Sequence, residues 1–159
     1  MRRHFTLRRK RENAEVVRLL ISTSKAELYA QTDQGGTALM IACVRNYLEV
    51  ASALINAGAE TNLPSSVGTA LMGAAQAGNN QIVRALLDHG ASANAKASNG
   101  TTALFLAATQ GRTDVVNTLI AAGADVNAAA SEGTTVIAIA KRTGHEQIVG
   151  ILRDHGARD

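Results

Sequence analysis

Glycine, threonine and asparagine recur in this chain at a spacing that leaves few folds open. Gly58, Gly90, Gly123 and Gly156 stand 32, 33 and 33 residues apart, and Thr37, Thr69, Thr102 and Thr135 keep the same spacings. Asn62, Asn94 and Asn127 each follow one of those glycines by four residues, and the apolar pairs Leu54-Ile55, Leu86-Leu87, Leu119-Ile120 and Ile151-Leu152 precede them. The unit is clearest from Asn99 to Asn127. Thr102 carries the hydroxyl of a helix N-cap, able to accept from a backbone N–H that the helix itself leaves unpaired. Ala103 to Thr109 are mostly small and apolar. Gly111 breaks that helix through a left-handed backbone that glycine adopts at little cost. Asp114 opens a second helix, its carboxylate at the positive end of the dipole. Val115, Val116, Leu119 and Ile120 fall on one stripe of it, and Gly123 closes it. Such a helix pair has one oily face and cannot bury it alone. Copies laid side by side can, so a period near 33 residues with two helices and a turn predicts a stacked solenoid.

The same residues carry a family resemblance. Gly100, Thr102, Leu104, Ala107, Ala108, Gly111, Val116, Leu119, Gly123, Ala124, Asp125 and Asn127 match the pattern G-x-T-P-L-H-x-A-A, G-H, V-x-x-L-L-x-x-G-A-D-x-N. The chain thus resembles the ankyrin-repeat family, from about residue 13 to 159. The resemblance implies an all-α solenoid of helix-turn-helix units with short β-turn fingers. It also implies a non-catalytic role in binding another protein through a concave groove, with no metal or cofactor. We read residues 1–159 as one domain: a basic leader at 1–12, a partial N-terminal cap at 13–32, and repeats at 33–62, 63–94, 95–127 and 128–159. Glu15 to Ile21 resemble the second helix of a repeat whose first helix is absent or replaced, a degenerate N-terminal cap. The family's Thr-Pro-Leu-His reads Thr-Ala-Leu-Met at Thr37 and Thr69, Thr-Ala-Leu-Phe at Thr102 and Thr-Val-Ile-Ala at Thr135. The proline and histidine that would stiffen each turn are therefore missing. Met40, Met72 and Phe105 take the place of the histidines and should form a ladder through the stack, filling the core or, alternatively, leaving an apolar strip reachable from the groove. Family habit further suggests Asn127 as a substrate for a protein hydroxylase.

Three local departures carry their own expectations. Asn46 stands where the other repeats have Gly78, Gly111 and Gly144, and asparagine tolerates a left-handed turn better than most residues. Pro64 precedes the one repeat that has lost a residue, so the turn there should differ in shape. Lys141 occupies the position of Cys43, Ala75 and Ala108. A charged stem fits there if nothing further covers it, so the last repeat reads as a C-terminal cap where the fold ends.

Charge and composition narrow the functional classes. The net charge of +3 is misleading: Arg2, Arg3, Arg8, Arg9, Lys10 and Arg11 supply six positive charges with no acid among the first eleven residues. The remaining 10 basic and 13 acidic residues give −3, a mildly acidic body behind a basic leader. No run of about 18 apolar residues spans a membrane, and the leader lacks the apolar stretch of a secretion signal. The single cysteine, Cys43, is expected to be a core thiol and cannot form an intrachain disulfide. Together these features suit a monomer in the cytoplasm, or in the nucleus.

Catalytic patterns are missing from the sequence: there is no H-E-x-x-H, no phosphate loop and no G-x-S-x-G. His89 and His155 each precede a closing glycine, where a histidine can cap the last carbonyls, and His145 matches the family's turn histidine. What remains is surface. The candidate partner-binding residues are Asp33, Gln34, Lys96, Ser98, Asn99, Thr101 and Glu132 on the turns, with Arg45, Gln76, Thr109, Gln110 and Arg142 on the first helices. Three functions compete for them. A protein-binding groove is favoured. A basic patch from Arg2 to Arg11 could instead bind nucleic acid or an acidic surface. A purely structural scaffold, natural or designed, would bind neither.

Overall fold

Four threonines start the fold. Thr37, Thr69, Thr102 and Thr135 have extended backbones, and each hydroxyl accepts from the amide three residues on: Met40, Met72, Phe105 and Ala138, at 3.2, 3.4, 3.2 and 3.2 Å. Each thus opens the first helix of a pair. The computed structural model describes residues 28, 30–66 and 68–158. The leader at 1–12 and the cap helix around Glu15 to Ile21 lie outside these residues. The described residues form eight α-helices: α1 Ala38–Val44, α2 Leu48–Asn56, α3 Ala70–Ala77, α4 Asn80–Asp88, α5 Ala103–Thr109, α6 Thr113–Ala121, α7 Val136–Arg142 and α8 Glu146–Asp154. None is long and apolar enough to cross a membrane.

The helices pack as two rows. The odd-numbered helices α1, α3, α5 and α7 touch in sequence order, the even-numbered α2, α4, α6 and α8 do likewise, and each pair closes on itself. Side-chain size explains how closely the first row packs. Ala42, Ala74, Ala107 and Ala140 are buried at equivalent positions, and so are Cys43, Ala75 and Ala108 one residue on. Leu39, Leu71, Leu104 and Ile137 project from the first row, and Leu54, Leu86, Leu119 and Leu152 from the second, all buried. Each fully buried side chain of this size is worth about 1.5–3 kcal/mol. Lys141, by contrast, stands exposed at the position those small residues fill.

Helix pairs are joined by hairpin fingers. Three close over five residues, through Thr32 N–H to Gly36 O, Ala97 N–H to Thr101 O and Ala130 N–H to Thr134 O, each at 2.9 Å. The finger after Pro64 closes over four instead, with Ser65 and Gly68 exchanging both backbone bonds. This is the lost residue of the repeat, and the turn has the different shape that the spacing predicts. Asn46 turns left-handed at φ 59°, in the role glycine plays at Gly78 and Gly111.

The second helices start differently from the sequence expectation. Arg112 is the N-cap of α6, which begins at Thr113, so Asp114 lies inside the first turn. Tyr47, Arg112 and His145 make no side-chain cap bond. Two of them reach into the preceding pair: Arg112 Nε donates to Gln76 O at 3.4 Å and His145 Nε2 to Thr109 O at 3.2 Å. Asn79, at the same position, both caps α4 and donates to Asn46 Oδ1.

The opposite edge is clamped by asparagines. Asn62, Asn94 and Asn127 donate through Nδ2 to the carbonyls of Gly90, Gly123 and Gly156, at 2.8, 2.9 and 3.3 Å. Their Oδ1 atoms accept from the amides of Ser92, Asp125 and Arg158, at 2.8, 2.7 and 2.9 Å. One side chain therefore bridges a donor and an acceptor of the next loop, at every junction where it occurs.

Candidate functional site

The fingers and the exposed side of the first-row helices bound a groove. Two hollows lie in it, one repeat apart. The first, about 370 Å³, is lined by Thr32, Gln34 and Gly36 of the first finger, Met40, Ile41, Val44 and Arg45 of α1 and its cap, and Ser65. The second, about 330 Å³, is lined by Ser66, Met72 and Gln76, by 97–99 and Thr101 of the third finger, and by Leu106. Their walls differ in kind. The first is mostly apolar around one guanidinium. The second sets Gln76, Ser98 and Asn99 over Met72 and Leu106.

Backbone bonds hold the fingers in place. Ser66 N–H donates to Gln34 O at 3.2 Å, tying the first finger to the second. Ser131 donates to Asn99 O through both its amide and its hydroxyl, at 2.8 Å each, tying the third to the fourth. Within the third finger Asn99 Oδ1 accepts from Thr101 N–H at 3.1 Å. The floor comes from the residues that replace the family's turn histidine. Met40 and Met72 are buried and Phe105 is half-buried, and Met72 Sδ lies against Gly68 in the space a Cβ would take.

The structure sorts the predicted residues. Gln34 and Arg45 meet in the first hollow, and Gln76, Ser98 and Asn99 in the second, all exposed. Asp33, Lys96 and Glu132 are exposed on the fingers outside both hollows. Gln110 and Arg142 are exposed at the C-terminal ends of α5 and α7. Thr101 lines the second hollow but offers it little surface. It is 8 % exposed, and its backbone carbonyl closes the finger. Thr109 is half-buried and turned inward: its hydroxyl donates to Phe105 O at 2.8 Å, and its carbonyl accepts from His145.

Sequence reasoning missed Ile41. Its counterparts Gly73, Leu106 and Ile139 are buried or half-buried, so its position in the repeat reads as interior. Ile41, Val44 and Tyr47 are nevertheless the exposed large hydrophobics among the described residues, with Ile41 at 51 % and Val44 at 56 %.

The titratable groups are placed structurally. Burial pushes the Cys43 thiol up to about 12, away from the thiolate that reactivity requires. His89 Nδ1 donates to Ala85 O and His155 Nδ1 to Ile151 O, each at 2.8 Å, capping α4 and α8. Among the described residues no group of three or more His, Cys, Asp or Glu is placed to hold a metal ion.

A family model described as ankyrin repeats (3 copies) matches residues 6–65 and 62–130. No curated protein matches the chain. The matched region takes in the first three helix pairs, and α7 and α8 continue the same packing beyond it.

Proposed function

The chain belongs to the ankyrin-repeat family, whose repeats generally serve as protein–protein interaction modules; from that premise we propose that its groove binds another protein, without catalysis. The observation that carries this reading is a division of labour among residues. Positions that hold the stack repeat from pair to pair: the threonine caps, the buried alanines, the asparagine clamps. Positions around the two hollows do not: Ile41, Val44 and Arg45 in one repeat stand against Gly73, Gln76 and Ala77 in the next. A scaffold that keeps its frame constant and varies its open face suits recognition. The buried free thiol of Cys43 suits a reducing compartment, the cytoplasm or the nucleus.

The test uses the full chain as immobilised bait. The wild type should capture a partner saturably, and the double variant Arg45→Ala with Gln110→Ala should lose it. Capture that ignores the double variant but disappears when residues 1–11 are removed, and that falls steeply with salt, would assign binding to the basic leader.

A further inference from the structure

We propose that the first hollow is a subsite for an apolar side chain with a carboxylate beside it, so that the partner presents an acidic, apolar segment laid extended along the groove. This rests on the groove being the binding face and names the chemistry it selects.

The apolar half comes from two stiff side chains. Ile41 and Val44 are β-branched, with few rotamers to lose when a ligand settles on them. Val44 is held further by its neighbour, since its Cγ2 lies 2.7 Å from where a Cβ on Gly73 would stand. No other first-row helix among the described residues offers this pair. The equivalent positions are Gly73 and Gln76 in α3, Leu106 and Thr109 in α5, and Ile139 and Arg142 in α7. Met40 floors the hollow with a thioether that adapts to the shape above it. The space, about 370 Å³, lies in the range of ligand pockets, and one branched or aromatic side chain fits within it.

The carboxylate half comes from Arg45. It caps the end of α1, lines the hollow, and makes no side-chain hydrogen bond or ion pair among the described residues. No Asp or Glu is among the described residues of the lining. A guanidinium with its fork free beside an apolar wall takes a carboxylate through two parallel bonds. The wall beside it lowers the local dielectric and strengthens that pair relative to an exposed one. A lysine-bearing or uncharged segment would bury the same apolar contact but leave Arg45 repelled or unpaired.

Direction follows from the second hollow. First-row helices stand about 8–10 Å apart, so an extended chain at about 3.3 Å per residue reaches the next hollow in about three residues. There Gln76, Ser98 and Asn99 offer hydrogen bonds rather than charge.

The test pans a random dodecapeptide phage library on the immobilised full chain. The expected enriched sequences pair Leu, Ile, Val or Phe with an adjacent Asp or Glu. Panning on Arg45→Glu should erase the acidic bias, and Arg45→Gln should weaken it. Val44→Asp should cut the binding of enriched peptides at least tenfold. Thermal melts of each variant check that the stack is intact, and Arg45 is exposed enough for both its substitutions to keep it. Enrichment without the acid–apolar pair, or an acidic bias that survives Arg45→Glu, overturns the subsite while leaving groove binding in place. No enrichment at all, together with no partner captured by the bait, overturns both.

Discussion

Cys43 shows how a single side chain registers the packing around it. It is fully buried at a position where its counterparts are alanine, and burial raises its thiol from 9.0 to about 12. The folded chain therefore keeps a proton that the unfolded chain releases. Stability tied to this group is intact below about pH 9 and is lost as pH rises from there toward 12. Over that window the loss approaches about 1.4 kcal/mol per pH unit. Urea titrations of the wild type and Cys43→Ala at pH 8, 9 and 10 should show the wild type losing stability more steeply with pH than the alanine variant. Glu132 makes a second case. It is one of two non-glycine residues with positive φ among the described residues, at 61°, directly before Gly133 at 71°. Asparagine adopts that conformation more readily, so Glu132→Asn should raise the unfolding free energy by about 1 kcal/mol in urea titrations.

At the scale of elements, local chemistry was legible and remote partners were not. Thr102 and Gly111 announce a helix start and stop because the groups they serve lie within a few residues. Asn94 repeats as regularly as they do, yet nothing near it in sequence reveals that its amide grips Gly123 O and Asp125 N–H in the next loop. Arg112 and His145 were harder still, since each spends its ring or guanidinium on a carbonyl 36 residues back. The candidate site divides the same way. Gln34, Arg45, Gln76, Ser98 and Asn99 could be placed on the open face by register alone, but the burial of Thr101 depends on how the third finger folds over it. Ile41 was hidden because the repeat marks its position as interior. Two substitutions test the readable and unreadable contacts together. Thr102→Ala should cost about 1 kcal/mol through the lost cap. Asn94→Ala should cost about 1–2 kcal/mol through two lost bonds. Because the two act on different junctions, the double variant should show near-additive losses in chemical denaturation.

The described residues form a line of similar pairs, each packed chiefly against its neighbours. Their stability is then a sum of pair and junction terms along that line. The inner helices α3 to α6 are covered by described pairs on both sides, whereas α7 and α8 pack against described helices on one side only. Hydrogen exchange should accordingly slow from α8 inward to α4, and uniform protection across all four pairs would contradict a line of semi-independent units. Gly73 carries a consequence for the shape of that line. Lacking a side chain, it lets Val44 lean into α3, and this lean brings the first two described pairs together beside the hollow proposed above as an apolar subsite. A methyl group at Gly73 would act as a wedge. It would tilt one pair from the other and alter what the trough accepts, although no ligand atom need ever come near it.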